Sequence, residues 1–177
     1  FDFGQVRLTS SRWLDNQNRT TNYLRSVSVD RLLYVFRANH RLSTNGATPN
    51  GGWDAPSFPF RSHVQGHFLT AWAQVYAVTG DTTCRDKAAS MVAELAKCQN
   101  NNGAAGFAAG YLSGFPESEI SVAETGQGNC NVPWYCIHKT MAGLLDVWHI
   151  MGNTQAGDVL LRLAAWVDNR TGRLSWS

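Results

Sequence analysis

The feature that most constrains this chain is a helical pattern that occurs twice, 72 residues apart. In each copy, apolar residues at helical spacing end at a glycine, Gly80 or Gly152, and a second helical run follows at once. Aligning the two glycines also places Tyr76 over Trp148. Each copy predicts an αα-hairpin, and hairpins that cannot bury their apolar faces alone stack beside each other.

Five helical segments are predicted from apolar spacing and helix-ending residues. They cover about 18–41, about 63–78, the segment that Asp81 or Thr82 caps, about 133–151, and the segment from Asn153 or Thr154 to about 171. The intervening stretches 42–61 and 100–131 are rich in Gly, Pro and Asn, so both are predicted to be long loops.

No stretch alternates at the period of a strand, so the predicted fold is all-α. Stacked αα-hairpins close into an (α/α)6 toroid when six of them complete a ring. Because the chain supplies fewer than half of the helices of such a ring, residues 1–177 are predicted to be roughly its first half. We therefore expect the chain to be too short for a whole catalytic site.

Charge and composition exclude several classes of partner. The formal net charge is +2, only 16% of the residues are charged, and no basic run is present, so nucleic-acid binding is not predicted. No apolar run approaches the roughly 20 residues of a transmembrane helix, so no membrane partner is predicted either. Low charge, seven Trp and many Asn, Thr and Ser favour a secreted, extracellular protein.

Four cysteines permit two disulfides but also fit buried free thiols. Cys84 and Cys98 are predicted to share one helix, where their 14-residue separation corresponds to about 21 Å, too far for a disulfide. Cys130 and Cys136 flank a proline-containing turn and could bridge. No CxxC pair is present, so no metal site is predicted in this chain.

Three histidines are candidate binding residues. His63 and His67 are four residues apart and share one helix face, which suits metal binding, sugar contact or a hydrogen-bonded core position. His138 falls within one position of His67 when the repeats are aligned, so both are expected near the same rim, at helix N-termini. A neutral imidazole there donates one hydrogen bond and accepts another, as a sugar hydroxyl requires, although a core role remains the alternative.

Exposed aromatic rings can stack on sugar faces, and Trp53 and Tyr135 stand at helix entries. Glycoside hydrolysis also needs a proton donor and a nucleophile or base, usually carboxylates. Spacing alone pairs none of the loop carboxylates, so the catalytic residues stay unknown at this level; these carboxylates are Asp54, Glu117, Glu119 and Glu124.

Five phrases, in order along almost the whole chain, resemble glycoside hydrolase families 127 and 146, the β-L-arabinofuranosidases. They are VDRLLYxFR (29–37), GGWD (51–54), GHFL (66–69), GYLSGFP (110–116) and YxIHKxMAGLLD (135–146). The resemblance implies an (α/α)6 catalytic barrel followed by β-sandwich domains, with exo activity on plant arabinan-type or hydroxyproline-linked sugars. In this family the sequence motif GGWE corresponds to GGWD here, which shortens the acid at Asp54.

The resemblance also implies a zinc-bound cysteine thiolate as nucleophile and a glutamate acid/base, all from residues beyond this chain. None of the four cysteines matches that cluster, so we expect neither catalytic residues nor a metal within the chain. The expected substrate-binding residues are His63, His67, His138, Trp53, Asp54 and Tyr135. The alternatives are a non-catalytic carbohydrate-binding fragment and a helical partner whose open face is covered by the rest of the barrel or by a second copy.

Overall fold

The computed structural model describes residues 2–128 and 131–173, and within these residues all regular structure is helical. Short 3₁₀ turns at Phe3–Gln5 and Gly52–Asp54 accompany the α-helices. The α-helices are α1 (Arg12–Ser26), α2 (Val29–Asn39), α3 (Val64–Thr79), α4 (Thr82–Asn100), α5 (Asn102–Ala105), α6 (Glu117–Thr125), α7 (Pro133–Met151) and α8 (Thr154–Thr171).

The two predicted hairpins are α3 with α4 and α7 with α8. Each turns at a glycine in the left-handed conformation, Gly80 with φ 76° and Gly152 with φ 69°. A side-chain oxygen then caps the second helix of each pair, from Asp81 in one hairpin and Asn153 in the other. The predicted all-α, toroid-type hairpin arrangement is confirmed.

Helices α3 and α7 run parallel, as the first helices of successive hairpins do in an α/α toroid. Near their N-terminal ends Gly66 lies against the backbone of Lys139, and one turn further on Thr70 Oγ1 donates to Asp146 Oδ2 at 2.6 Å. Because α4 and α8 return antiparallel to these helices, they are parallel to each other. The N-terminal ends of α3 and α7, and the loops that precede them, therefore lie at the same end of the bundle.

The core lies between the two layers of helices. Most of its side chains come from α2, α3, α4, α7 and α8, at the helical spacing seen in the sequence. Trp72 is fully buried, and its Nε1 donates to the carbonyl oxygen of Leu24 at 3.1 Å, which ties α1 to α3. The largest fully buried side chains include Phe36, Leu69, Trp72, Met91, Tyr111, Phe115 and Leu144.

The continuous helix expected over about 18–41 is wrong, because the segment contains two helices. Val27 adopts an extended conformation at the end of α1, and the Ser28 hydroxyl accepts from the backbone N–H of Arg31 at 3.4 Å to begin α2. Helix α1 also begins earlier than expected, at Arg12 after the capping residue Ser11. A serine cap inside an apolar pattern thus interrupts the helix that the periodicity alone predicts.

The stretch 100–131 is not purely a loop, since it contains α5 and α6. Pro116 precedes α6, two glutamates stand in its first turn, and Gly126 ends it with φ 64°. Arg170 of α8 joins α6 to the bundle through Glu124, with Nη2 to Oε2 at 2.7 Å. This segment is therefore packed against α8.

Cys84 and Cys98 both lie on α4, buried and without a disulfide, so the expectation that they do not bridge is confirmed. Cys136 is buried on α7. Its expected partner, Cys130, lies outside the described residues, so that pairing stays a prediction. Among the described helices, none is both long and apolar enough to cross a membrane.

Asp81 links the first hairpin to α1. Its Oδ1 caps α4 by accepting from Cys84 N at 2.8 Å, its Oδ2 accepts from Arg25 Nε at 2.6 Å, and its side chain is 3% exposed.

Asp81→Ala should lower the free energy of unfolding by about 2 kcal/mol, because the cap and a shielded ion pair are both lost. Asp86→Ala, in the same helix but 67% exposed, should change it by less than about 0.5 kcal/mol. Urea denaturation measures both, and equal effects would contradict the capping role.

Candidate functional site

Four of the six residues expected to bind substrate meet at the N-terminal ends of α3 and α7. They are Trp53, His63, His67 and Tyr135, and Phe60 joins them. The ring of Phe60 lies 5.6 Å from Trp53, 6.1 Å from His63 and 6.2 Å from Tyr135, measured between centroids. We call these five side chains the aromatic-histidine cluster.

His63 lies at the centre of the cluster, immediately before α3. Its ring is 6.0 Å from those of His67 and Tyr135 and 6.4 Å from that of Trp53. Nδ1 is 2.5 Å from the carbonyl oxygen of Phe60, which can only accept, so Nδ1 carries the proton. In the neutral ring Nε2 is then left as an acceptor for a ligand hydroxyl.

His67 lies on the first turn of α3 and is the exposed histidine of the cluster. Partial burial, the nearby Lys139 ammonium and His63 hold its pKa below the ordinary value for histidine. Lys139 itself lies over the Tyr135 ring, with Nζ 5.0 Å from the centroid. His67 is therefore neutral at pH 7 and offers both a donor and an acceptor.

His138 is exposed on α7, three residues after Tyr135 and so on the same side of the helix. Its ring makes no aromatic contact with the cluster among the described residues. The backbones of α3 and α7 are in close contact where Gly66 meets Lys139. His67 and His138 are the sequence neighbours of these two residues. A concavity shared by the two histidines stays a prediction.

The rings of Trp53 and Tyr135 are partly exposed to solvent. Trp53 is 65% exposed and Tyr135 is 43% exposed, although both contact Phe60. Among the described residues, no protein group forms a hydrogen bond with the indole N–H of Trp53. An exposed, anchored ring with a free polar edge suits the stacked and hydrogen-bonded contacts that sugars make.

Asp54 differs from its neighbour Trp53 because it points into the protein and is 5% exposed. Its Oδ1 accepts from the backbone N–H of Ser62 at 2.9 Å, and its Oδ2 accepts from Asn50 at 2.8 Å and Gln65 at 3.0 Å. Burial raises the pKa of this carboxyl against the opposing effect of those hydrogen bonds. The geometry shows Asp54 fastening the loop that carries Trp53, and direct sugar contact by Asp54 stays a prediction.

The other three candidate carboxylates, which lie on α6 and not in a loop, are also engaged by protein groups. Both oxygens of each of them accept hydrogen bonds, so they are held away from an open acid/base role. Glu117 accepts from Ala108 N and Trp166 Nε1, Glu119 from Arg61 and Asn131, and Glu124 from Nε and Nη2 of Arg170.

The described residues do not form a zinc site. No three His, Cys, Asp or Glu side chains in residues 2–128 and 131–173 are placed to hold a metal ion. Burial raises the pKa of Cys136 and of Cys98 to about 12 and that of Cys84 to about 11, so these thiols stay protonated at neutral pH. A neutral thiol is neither a good metal ligand nor a good nucleophile.

Phe60 and Lys139 belong to the site but were not singled out from the sequence. Phe60 directly follows Pro59 in a loop rich in glycine and proline, where periodicity gives no signal. Its one sequence cue is its position three residues before His63. Lys139 follows His138 directly, and its approach to Tyr135 depends on the turn of α7.

The chain matches, over residues 5–176, the family described as "Beta-L-arabinofuranosidase, GH127 catalytic domain". The match covers the loop that carries Trp53, the whole of α3 and α7, and both hairpins. The comparison with curated proteins finds no match.

Proposed function

Since the chain belongs to the β-L-arabinofuranosidase family of glycoside hydrolases through its catalytic domain, we propose that it binds a terminal β-L-arabinofuranose. The substrate in this proposal is an arabinose-containing glycan of the plant cell wall, attacked from its end. The observation that carries the proposal is the aromatic-histidine cluster at the common end of α3 and α7.

Each group in the cluster has a distinct part in sugar binding. Trp53 and Tyr135 provide flat apolar surfaces for the C–H faces of a furanose ring. His63 Nε2 accepts from one hydroxyl, since its Nδ1 proton is held by the carbonyl of Phe60. His67 and His138 are exposed at the edge, where each can donate to one hydroxyl or accept from another.

The contribution of this chain is binding and orientation of the sugar. Asp54, Glu117, Glu119 and Glu124 have protein partners on both oxygens, and the three buried thiols are protonated, so none of these groups is ready to act as proton donor or nucleophile. In this proposal the acid/base glutamate, the nucleophilic thiolate and the zinc of the family come from residues outside this chain. Holding the sugar in one orientation is itself a large part of the catalytic effect.

A non-catalytic carbohydrate-binding fragment is the second candidate, and the fully engaged carboxylates favour it. The two candidates separate in one assay, which follows release of 4-nitrophenol from 4-nitrophenyl β-L-arabinofuranoside by the chain combined with a segment of the family's catalytic domain that supplies the acid/base glutamate and the thiolate. Turnover would support the enzyme, whereas binding without turnover would support the fragment.

Two further parts of the proposal concern the partner of an exposed apolar face and the location of the protein. Leu145 and Trp148 on α7 and Leu161 on α8 are exposed apolar side chains, and this face would contact the next hairpin of the ring or a second copy of the chain. The low charge and the abundance of Asn, Thr and Ser support an extracellular location.

His67→Ala should weaken binding of methyl β-L-arabinofuranoside by roughly 3- to 10-fold, the effect of losing one hydrogen bond. His138→Ala should have an effect of the same size if it faces the same sugar. Thermal stability should not fall, because both side chains are exposed and fill no core volume. Because the pKa of His67 is lowered, wild-type affinity should hold at neutral pH and decline only in acid, once the pH falls below this lowered pKa and the protonated imidazole loses its acceptor.

Isothermal titration of each variant gives the affinity, and a thermal melt gives the stability. His149→Ala is the matched control, since it removes an exposed histidine from the other end of α7. Lower stability with unchanged sugar affinity would return His67 and His138 to a structural role.

A further inference from the structure

A cleft adjoins the aromatic-histidine cluster at Trp53, which is one of its lining residues. It is formed where α1 ends and α2 begins, between the 50–54 loop and the first turns of α3, and its volume is about 510 Å³. We call it the Tyr23 cleft. Its lining residues include Tyr23, Ser28, Arg31, Asn50, Trp53 and Phe68.

The break between α1 and α2 creates this cleft. Helix α1 ends at Ser26, Val27 is extended, and Ser28 caps α2, so the chain changes direction at this point. Tyr23 at the end of α1 and Arg31 in the first turn of α2 then border the same space. Both side chains are exposed, Tyr23 by 59%.

The aromatic walls of the cleft are anchored. The Tyr23 ring lies 6.4 Å from Phe68, which in turn lies 5.7 Å from the buried Trp72. Trp53, which also lines the cleft, is held by Phe60 at 5.6 Å between ring centroids. Two exposed rings that line one cleft are thus anchored, which lowers the entropy cost of stacking on a ligand.

The polar groups of the cleft are available to a ligand. Within the part of the chain that the structure describes, the guanidinium of Arg31 makes only a long contact of 3.5 Å, from Nη2 to the carbonyl oxygen of Pro49. Among the described residues, neither the Tyr23 hydroxyl nor the Trp53 indole N–H has a protein hydrogen-bond partner. Asp54 also borders the cleft, but its oxygens are already occupied.

A sugar is the class of ligand that these features fit. Flat rings receive the apolar face of a sugar, and the planar donors of Arg31 match a pair of neighbouring hydroxyl groups. The volume lies within the range of small-molecule sites. Among the described lining residues Arg31 is the one cationic group, and its N–H groups can donate to neutral hydroxyls as well as to an anion.

We propose that the Tyr23 cleft is a second sugar subsite, which binds the unit next to the terminal arabinose, with Trp53 as the wall common to both sites. The proposal rests on the proposed function, because it takes the aromatic-histidine cluster as the site of the terminal sugar. It makes the preferred ligand at least a disaccharide and gives Tyr23 and Arg31 the role of recognising its second unit.

The test compares two probes, methyl β-L-arabinofuranoside and a β-linked arabinofuranose disaccharide, by isothermal titration of the full chain. The wild-type chain should bind the disaccharide more tightly than the monosaccharide. Tyr23→Ala should weaken disaccharide binding by roughly 3- to 10-fold and leave monosaccharide binding unchanged, because only the second unit stacks on Tyr23. Arg31→Ala should behave in the same way.

Two controls keep the test sharp. Tyr23→Phe retains the ring and should keep most of the disaccharide affinity, and Trp13→Ala removes an exposed aromatic residue of α1 away from the cleft. Equal affinity of the wild-type chain for the two probes, or equal losses for both probes in Tyr23→Ala, would overturn the subsite and leave the terminal-sugar site intact. Binding of neither probe would overturn both proposals.

Discussion

Gly66→Ala is expected to lower the free energy of unfolding by about 3 kcal/mol or more, a large effect for one added methyl group. A Cβ at Gly66 would lie 1.8 Å from the carbonyl oxygen of Lys139 and 2.3 Å from its carbonyl carbon. Those atoms belong to the backbone of α7, so no side chain can rotate to make room. The opposing Gly143 has the same constraint, since its Cβ would lie 2.4 Å from the Gly66 oxygen.

The two helices would have to separate, and the packing between α3 and α7 would loosen along its length. Urea denaturation of Gly66→Ala and of Gly103→Ala would measure the effect. Gly103 lies in a helix and is exposed, with no atom within 4 Å of an added Cβ, so its substitution should be neutral or slightly stabilising. Similar stabilities for the two variants would show that the helices are not in backbone contact at Gly66.

The two hairpins could be predicted from the sequence, whereas this contact between them could not. The turns at Gly80 and Gly152 are local, because a left-handed glycine and the capping oxygen after it can be read within a few residues. The GHFL phrase contains Gly66, but the phrase does not show what this glycine contacts. The contact between Gly66 and Lys139 joins two segments more than 70 residues apart. Spacing within one segment carries no such information.

The errors in the fold have a common cause. Apolar periodicity continues through Val27 and Ser28, so it predicted one helix where a serine cap begins a second one. In the stretch 100–131 the glycines dominated the pattern and concealed α6, whose helical sequence is only nine residues long. In both places a short-range polar or conformational preference competes with a longer hydrophobic pattern.

For the site, the repeat was the informative signal. It placed His67 and His138 at the entries of α3 and α7, and the structure brings His67 beside His63, while a concavity shared by His67 and His138 stays a prediction. It could not distinguish Trp53, which is open, from Asp54, which is buried under hydrogen bonds from Ser62 and Gln65. Which of two adjacent loop residues faces the solvent depends on how the loop closes on the helices.

The second large effect concerns acid stability and depends on His40, which is fully buried at the end of α2. Its ring is 5.2 Å from Phe107 and 6.0 Å from Tyr111, and its Nε2 accepts from the backbone N–H of Ser113 at 3.4 Å. Burial lowers the pKa of His40 to about 4, and the neighbouring hydrogen bonds only partly oppose this shift. The folded chain therefore keeps this imidazole neutral at pH values where an unfolded chain, with a pKa of about 6.5, is already protonated.

The sign follows from proton uptake. Between about pH 6.5 and pH 4 the unfolded chain binds a proton that the folded chain does not, so stability falls as the pH falls through this window. The loss of stability approaches 1.4 kcal/mol per pH unit and about 3 kcal/mol in total, and it is absent above about pH 7.

His40→Phe keeps an aromatic ring beside Phe107 and Tyr111 but has nothing to protonate. Its stability should be lower than wild type at pH 7, because Ser113 N loses its acceptor, and should fall less steeply in acid. Urea denaturation at several pH values from 4 to 7 measures the two slopes, with His149→Phe as an exposed control that should keep the wild-type slope. Parallel curves for His40→Phe and wild type would show that His40 does not govern the acid response.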